Sequence, residues 1–335
     1  MKSTSLHTYL LTLVVVFAGC DTLPEEPEAS RSQYKISAFT GLWFEASIDI
    51  LNTRENQRQT VAQGLTIYDS SLTWSPDGTQ LAFESEKKLF AVNTDGTQLR
   101  QLTNSNTYET YPSWSPNGVY IAFLAFEQGG WKLYSMEESG LNRKLLSPLP
   151  ALKSPPAWSP SGNNLAFATE QGIYILYPNG SVAARLTDDS TDALPVWSPN
   201  GVRLLFRSER DGNKEIYVIR YDGTGLLNLS QHPREDDEPA WSSTGEEIVF
   251  TSRRDEVILN EEGGYHFRSE LYASSSDSSE VRRLTNRTTV SSPSFEPQGM
   301  RVAISGVTIL YLESSDVFLF LGSGHSPKWS PVPLE

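Results

Sequence analysis

The sequence predicts an all-β propeller, a ring of small antiparallel sheets, and three observations support this prediction. A short phrase, as in Trp74-Ser-Pro-Asp-Gly78, joins an aromatic residue to a tight turn and recurs along the chain. The full copies begin at Trp74, Trp114, Trp158, Trp197, Trp241 and Phe295, and a shortened copy begins at Trp329. Successive copies lie 34 to 54 residues apart, which indicates one supersecondary unit that is repeated. The repeat region also lacks an apolar period of 3.6 residues over more than about ten residues, which argues against helices.

The first residues have the pattern of a bacterial export signal. Lys2 supplies a positive charge, Tyr9–Phe17 is an apolar core too short to span a bilayer with ease, and Ala18-Gly-Cys20 ends it. We therefore assign residues 1–19 as a signal peptide. The arrangement resembles the lipobox of bacterial lipoproteins, which implies a diacylglycerol on Cys20, the only cysteine of the chain. The alternative is an ordinary secretory signal that happens to contain a cysteine.

Residues 20–33 are expected to form an acidic, flexible tether. Asp21-Thr-Leu-Pro-Glu-Glu-Pro-Glu-Ala-Ser30 contains proline and few apolar residues, so it cannot bury enough surface to fold. A lipid on Cys20 would anchor the following domain to a membrane of the cell envelope. The sequence leaves open whether that domain faces the periplasm or is exposed at the cell surface.

Residues 34–335 are predicted to form a single propeller domain. Each repeat contains four short apolar runs, which in the first copy are Leu72–Ser75, Leu81–Ser85, Lys88–Val92 and Leu99–Thr103. The residues between them, such as Pro76-Asp-Gly78 and Asp95-Gly96, favour tight turns. Four short strands joined in this way make one antiparallel sheet, and sheets of this length match the blades of a propeller.

The two ends of this domain are predicted to complete a seventh blade. Tyr34–Phe39, Leu42–Ser47 and Arg58–Thr66 resemble second, third and fourth strands that lack a leading strand. Pro327–Ser330 is a leading strand without followers. Joining them gives seven blades, with six as the alternative, and leaves few exposed strand edges.

The repeated Trp-Ser-Pro-Asp-Gly phrase resembles the hallmark of the TolB-like propeller family, over about residues 34–335. The resemblance is specific for the fold because the phrase recurs, and weaker for function because one fold serves many tasks. It implies envelope or peptidoglycan-associated proteins as partners. The namesake of the family has six blades beside a separate N-terminal domain, and no such domain fits between Asp21 and Gln33.

Composition and motifs favour a binding protein over an enzyme. The formal net charge of −14 argues against nucleic acid, whose recognition needs basic patches. The sequence has no nucleophile elbow, P-loop, zincin motif or paired-cysteine metal motif, so we assign no catalytic residue, cofactor or metal ligand. The predicted function is a lipid-anchored, non-enzymatic platform for protein–protein interaction at the cell envelope.

Four carboxylates each precede a repeated tryptophan by five residues, in the loop that leads into the first strand of a blade. They are Asp69, Glu109, Asp192 and Asp236. These loops are expected to open on one face near the channel mouth, where a ring of carboxylates would bind a cation or basic groups of a partner. The alternative is structural, because carboxylates also accept hydrogen bonds from turn amides.

The insertion Arg253–Arg268 is the largest departure from the repeat. It lies between a second and a third strand and contains Tyr265 and His266. Loops on a rigid scaffold tend to carry recognition, so these two residues are predicted to contact the partner. A neutral insertion is the alternative.

The histidines of the mature chain suggest a rival function. His232, His266 and His325 are expected in neighbouring blades on one face, and histidine is a common metal ligand. Oligogalacturonate lyases, which are related propellers, hold manganese with histidines on a propeller face. A metal-dependent carbohydrate-active enzyme is therefore one alternative, and a module that binds glycans through Trp and Tyr faces is another.

Overall fold

A computed structural model describes residues 34–40, 45–52, 57–68, 71–254, 257–259, 265–267, 269–277, 280–285, 290–297, 301–304, 308–311, 317–320 and 325–333. The chain divides into two units, Met1–Arg31 and Ser32–Glu335, and all described residues belong to the second. The predicted signal peptide, Cys20 and the tether therefore lie outside them. Within the described ranges there are strands and turns but no helix, and hence no helix that could cross a membrane.

The described residues form thirty strands. The first ten are β1 (Tyr34–Thr40), β2 (Ala46–Asn52), β3 (Gln57–Leu65), β4 (Leu72–Trp74), β5 (Gln80–Ser85), β6 (Lys88–Asn93), β7 (Arg100–Gln101), β8 (Tyr108–Trp114), β9 (Tyr120–Glu127) and β10 (Gly130–Glu137). The next ten are β11 (Lys144–Leu145), β12 (Ala157–Trp158), β13 (Leu165–Thr169), β14 (Gly172–Leu176), β15 (Val182–Arg185), β16 (Ala193–Trp197), β17 (Arg203–Ser208), β18 (Glu215–Arg220), β19 (Leu227–Asn228) and β20 (Asp236–Trp241). The last ten are β21 (Glu247–Ser252), β22 (Val257–Leu259), β23 (Tyr265–Phe267), β24 (Glu270–Ser275), β25 (Val281–Arg283), β26 (Ser294–Phe295), β27 (Arg301–Ile304), β28 (Thr308–Tyr311), β29 (Val317–Phe320) and β30 (His325–Pro333).

Most of these strands belong to four-stranded antiparallel sheets. In the described part of the chain there are seven such sheets and one two-stranded sheet, β22-β23. The orders are β3-β2-β1-β30, β4-β5-β6-β7, β8-β9-β10-β11, β12-β13-β14-β15, β16-β17-β18-β19, β20-β21-β24-β25 and β26-β27-β28-β29. The predicted all-β propeller with four-stranded antiparallel blades is therefore confirmed.

One sheet joins the two ends of the domain. β1 pairs with β30, with Ile36 opposite Trp329, and β2 and β3 follow on the other side of β1. The strand predicted at Leu42–Ser47 was placed too early, because the structure has it at Ala46–Asn52. That register buries Ile48 and Ile50 in one apolar cluster with the neighbouring blade.

The repeated Ser-Pro-Asp-Gly turn closes on itself through hydrogen bonds. The Ser75 hydroxyl donates to Asp77 Oδ1 at 2.6 Å and accepts from the Gln80 amide at 2.9 Å. The amide of Gly78 donates to the Ser75 carbonyl at 2.9 Å, with a φ of 69°. Since that φ is strained for other residues, glycine recurs at this position.

The repeated tryptophans link neighbouring blades. Five of the six side chains donate from Nε1 to a main-chain carbonyl just before the aromatic residue of the preceding blade. The acceptors are Lys328 for Trp74, Ser113 for Trp158, Ala157 for Trp197, Val196 for Trp241 and Ser294 for Trp329. Trp114 instead donates to Gly118 of its own turn at 3.1 Å. The indole packs apolar surface between blades and satisfies its polar edge there.

The core lies between blades rather than in one centre. Phenylalanines at equivalent positions of the second strands are fully buried, namely Phe83, Phe123, Phe167, Phe206 and Phe250. Most of them stack on an aromatic residue of the adjacent third strand, as Phe206 does on Tyr217 with ring centroids 5.6 Å apart. Each apolar cluster combines strands of neighbouring sheets, so every blade depends on the next one for burial.

Candidate binding site at the central channel

The first strands of the sheets surround a central channel. Its volume is about 890 Å³, and all seven four-stranded sheets contribute lining residues from the first strand or from the segment before it. Examples are Thr73 on β4, Ser113 on β8, Val196 on β16 and Lys328 on β30. A concave volume of this size falls within the range of ligand sites in proteins.

Four residues with left-handed backbone conformations line this channel. Tyr111, Leu194, Glu238 and Ser292 occupy equivalent positions, and their φ values are 53°, 55°, 51° and 53°. Each precedes a proline, a position that disfavours compact backbone conformations. Bulges in the pairing of the first strand with the second coincide with the first three of them. Strain of this kind, about 1–3 kcal/mol for each residue, clusters at functional sites.

The amides of three of these residues are held by side chains of the adjacent blade. Ser71 Oγ accepts from the Tyr111 amide at 3.3 Å, and Ser154 Oγ accepts from the Leu194 amide at 2.8 Å. For Ser292 the acceptor is a carboxylate, because Glu238 Oε2 accepts a hydrogen bond from the Ser292 amide at 2.8 Å. The inner strands are therefore tied to one another at the channel wall.

One side of the channel carries charges of both signs. Arg207 Nη1 lies 3.3 Å from Asp237 Oδ2, and Lys214 Nζ lies 3.4 Å from the same oxygen. Burial raises the pKa of Glu238, and the neighbouring Asp237 carboxylate adds to that rise. Lys328 keeps accessible surface because it faces the channel, yet the surrounding protein desolvates its ammonium group and lowers its pKa, which Glu238 opposes. Such a wall can bind a chain that presents both acidic and basic groups.

The structure places three members of the predicted acidic series under the surface. Glu109, Asp192 and Asp236 are each 0% exposed, and Asp69 lies outside the described residues. Each buried carboxylate pairs with an arginine of its own blade: Arg143 at 3.3 Å, Arg210 at 2.8 Å and Arg254 at 2.8 Å, respectively. Each carboxylate thus pairs within its own blade. This placement agrees with the structural alternative, and the binding role stays a prediction.

The Asp236 carboxylate has a raised pKa. Burial raises its pKa to about 6, and the Arg254 guanidinium and hydrogen bonds from Ser252 and Ser230 only partly offset that rise. The nearby Glu215 carboxylate adds to it. Asp236 therefore takes up a proton at a higher pH in the folded protein than in the unfolded chain.

The insertion predicted as an irregular loop contains a two-stranded hairpin. Val257 pairs with Phe267 and Leu259 with Tyr265, between the second strand β21 and the third strand β24. The expectation of a loop without strands is therefore corrected. β-branched and aromatic residues on both sides of the turn favour strand pairing. The side chains of Tyr265 and His266 lie outside the described part, so their contact role stays a prediction.

Of the three histidines in the predicted metal site, only His232 has a described side chain. His232 lies in the loop before β20, where its amide donates to Glu215 Oε1 at 3.0 Å and its Nδ1 accepts from the Arg234 amide at 3.1 Å. The side chains of His266 and His325 are not among those described. Across the described ranges, no three His, Cys, Asp or Glu side chains come together in a way that could hold a metal ion.

The residues of the channel wall were not predicted from the sequence. A proline two residues before the aromatic residue recurs in six copies: Pro112, Pro156, Pro195, Pro239, Pro293 and Pro327. This signal was available, since proline inside a strand marks an edge or a bulge. The charge of Arg207 carries no such signal, because Arg207 lies on the second strand of its blade.

Fold and site together define a β-propeller whose ring of blades encloses a channel with charged walls. A family model described as the TolB β-propeller domain matches residues 86–317. The chain therefore belongs to the TolB β-propeller family.

Named relatives agree with this assignment. A TolB homolog from Chlorobium luteolum is 38% identical over 204 residues, which cover 58% of this chain and 46% of that protein. A Tol-Pal system protein TolB from Francisella tularensis is 26% identical over 244 residues, which cover 66% of this chain and 54% of the relative. The chain thus spans about half the length of the curated relatives it matches.

Solved structures share the fold at low sequence identity. TolB from Acinetobacter baumannii is 19% identical, with a TM-score of 0.52 over 89% of this chain and 83% of that one. An oligogalacturonate lyase in complex with manganese is 12% identical, with a TM-score of 0.59 over 86% of this chain and 85% of the lyase. Identities this low show the fold alone.

Proposed function

We propose that this protein is a lipid-anchored propeller of the cell envelope that acts as a non-enzymatic platform for protein–protein interaction. The channel is the observation that carries the proposal. Strained residues and charges of both signs form its wall, in a chain whose relatives include a Tol-Pal system protein TolB. A channel wall that is already held in one conformation is suited to bind a segment of a partner, because the wall loses little conformational entropy on binding.

The platform is inferred to be a closed ring of seven blades, with six as the alternative. The pairing of β1 with β30 supports it. So do the Trp329 bond to Ser294 and the Trp74 bond to Lys328, which link the shared sheet to its two neighbours. In a closed ring the amides of β1 and β30 should exchange hydrogen as slowly as those of β13. Fast exchange confined to both ends would favour six blades.

The binding face is inferred to be the one that bears the loops leading into the first strands. Glu109, Asp192 and Asp236 would act there by holding arginines and loop ends in place, and Asp69 would contact the partner. Tyr265 and His266 would contact the partner from the hairpin insertion, whose base is fixed by the 2.7 Å pair of Arg253 with Glu235.

Membrane attachment is proposed through Cys20, followed by the acidic tether. The position of this lone cysteine after an export-type apolar segment supports the assignment. The domain would then face the periplasm or the cell exterior while the lipid holds it at the membrane. Envelope proteins are the proposed partners, and nucleic acid is not.

Affinity capture after mild cross-linking in the native cells tests the platform. The wild type is compared with Arg207→Ala/Lys328→Ala in the channel and with Tyr221→Ser, an exposed tyrosine in the turn at the other end of its blade. We expect a reproducible envelope protein with the wild type and Tyr221→Ser, and a reduced yield with the channel variant. Equal capture by all three would count against the channel as the site. A stoichiometric metal with no protein partner would favour the carbohydrate-active alternative.

A further inference from the structure

Four aromatic rings and two lysines form a continuous surface outside the channel wall. They lie on the face that bears the loops leading into the first strands. We call Tyr68, Lys87, Tyr108, Phe126, Trp131 and Lys153 the aromatic–lysine patch. Tyr68 precedes β4 and Lys87 lies in the turn between β5 and β6. The other four come from the start of β8, the β9–β10 hairpin and the segment before β12. Three neighbouring blades thus meet at this patch.

The rings contact one another edge to face. Tyr68 and Tyr108 have centroids 6.3 Å apart, Tyr108 and Trp131 5.3 Å, and Phe126 and Trp131 5.3 Å. Their planes cross at 64° to 66°. Tyr68 is 47% exposed and Phe126 is 43% exposed. Contiguous exposed rings of this kind mark interaction surfaces on soluble proteins.

Both lysines lie against ring faces. Lys87 Nζ is 4.8 Å from the Tyr68 centroid and 5.8 Å from that of Tyr108. Lys153 Nζ is 5.7 Å from the Tyr108 centroid and 5.8 Å from that of Trp131. The ring quadrupoles attract both ammonium groups, so the patch brings two cations together on a chain whose net charge is −14.

The main chain under the patch is held in advance of any ligand. Glu86 and Lys87 have φ values of 52° and 63°, which are strained for non-glycine residues. Glu84 is fully buried, and its carboxylate accepts from the Lys87 amide at 2.8 Å and from the Tyr68 amide at 3.0 Å. One buried carboxylate therefore fixes both residues relative to each other, which lowers the ordering cost of binding.

We propose that the aromatic–lysine patch binds an acidic peptide segment of a partner protein. Charge complementarity favours carboxylates at the lysines, and exposed ring edges favour aromatic or aliphatic side chains between those carboxylates. A glycan fits less well, because sugars stack on open, flat ring faces. Here lysines cover faces of Tyr68, Tyr108 and Trp131, and the rings are steeply inclined. The proposal rests on the platform function and names the chemistry of its partner.

The direct test uses fluorescence anisotropy at low salt with a labelled peptide of alternating Asp and Phe. Matched peptides carry Asn or Lys in place of Asp. We expect binding of the Asp peptide only, and a loss of about tenfold in affinity for Lys87→Glu, whose side chain is exposed. The exposed Lys144→Glu on β11 is the matched control and should bind like the wild type. No binding of the Asp peptide, equal loss for Lys144→Glu, or preference for an oligogalacturonate would each overturn the proposal.

Capture from cells separates this inference from the platform function. If the wild type captures an envelope protein and Lys87→Glu/Lys153→Glu captures it equally, the patch inference fails and the platform stands. If the wild type captures nothing, the platform fails, and the peptide assay still decides the chemistry of the patch. Trp131→Leu keeps an apolar side chain but removes a ring, and the smaller side chain should lower the melting temperature because Trp131 packs against an apolar cluster. At a temperature where this variant stays folded, it should bind the Asp peptide more weakly than the wild type.

Discussion

Removing the Asp192 carboxylate tests whether the acidic series is structural. Both oxygens of Asp192 lie 2.8 Å from Arg210 Nη2, and the carboxylate has no exposed surface. The guanidinium also lies 4.9 Å from the Tyr217 ring centroid, so it is held from two sides. Asp192→Ala leaves this largely buried cation without its main partner. Breaking a buried pair in this way costs about 3–5 kcal/mol of unfolding free energy.

The matched control is Asp237→Ala, one residue beyond the equivalent position in the next blade. Its side chain is 25% exposed and its pairs with Arg207 and Lys214 are longer, at 3.3 and 3.4 Å. Pairs that remain partly hydrated contribute about 1 kcal/mol or less. Urea unfolding followed by tryptophan fluorescence should therefore separate the two variants by at least about 2 kcal/mol.

Partner capture completes the test. At a temperature where Asp192→Ala stays folded, capture should remain within about twofold of the wild type, because the buried carboxylate offers no surface to a partner. A variant with wild-type unfolding and lost capture would refute the structural reasoning. It would support instead the ring of partner-binding carboxylates predicted from the sequence.

Three further predictions follow. Gly180→Ala should destabilise the protein by about 1–3 kcal/mol more than Gly223→Ala in urea unfolding. Both have a left-handed φ, of 89° and 85°, but a Cβ at 180 would lie 2.5 Å from the Leu146 carbonyl oxygen, whereas nothing lies within 4 Å at 223. Asp236 has a folded pKa of about 6, raised from 3.8, so the folded state binds more protons than the unfolded state between these values. The wild type should therefore gain about 1 kcal/mol of unfolding free energy relative to Asp236→Asn when the pH falls from 7 to 5, and parallel pH profiles would contradict this. Cys20→Ser should release the protein from membranes and remove the lipid from its mature N-terminal peptide in mass spectrometry, whereas unchanged membrane fractionation would argue against the anchor.

Local sequence patterns were sufficient to predict the blades. The Ser-Pro-Asp-Gly turn needs only residues within five positions of Ser75, and the bonds among them lie within that span. Strand identity followed from apolar runs for the same reason. The start of β2 was misplaced because its register depends on pairing with β1 and on burial of Ile48 against the next blade.

The candidate sites were harder to predict because they depend on how strands within a blade, and neighbouring blades, come together in the folded chain. Asp192 was singled out from its spacing, yet its burial depends on Arg210, which reaches it from a turn 18 residues away. The channel charges combine Arg207 of one blade with Asp237 of the next. No spacing within one repeat indicates such a pair, since it arises only when two sheets pack side by side.

The sequence by itself determined the repeated unit, because turns and strands depend on neighbouring residues and on alternation of apolar side chains. It also determined that the chain has a propeller fold, because such units cannot bury their faces alone. Tertiary structure alone decided that Glu109, Asp192 and Asp236 lie under the surface and that four rings and two lysines from three blades share one surface. The reason is that burial and proximity between blades depend on how whole sheets pack, and side chains distant in the sequence meet only there.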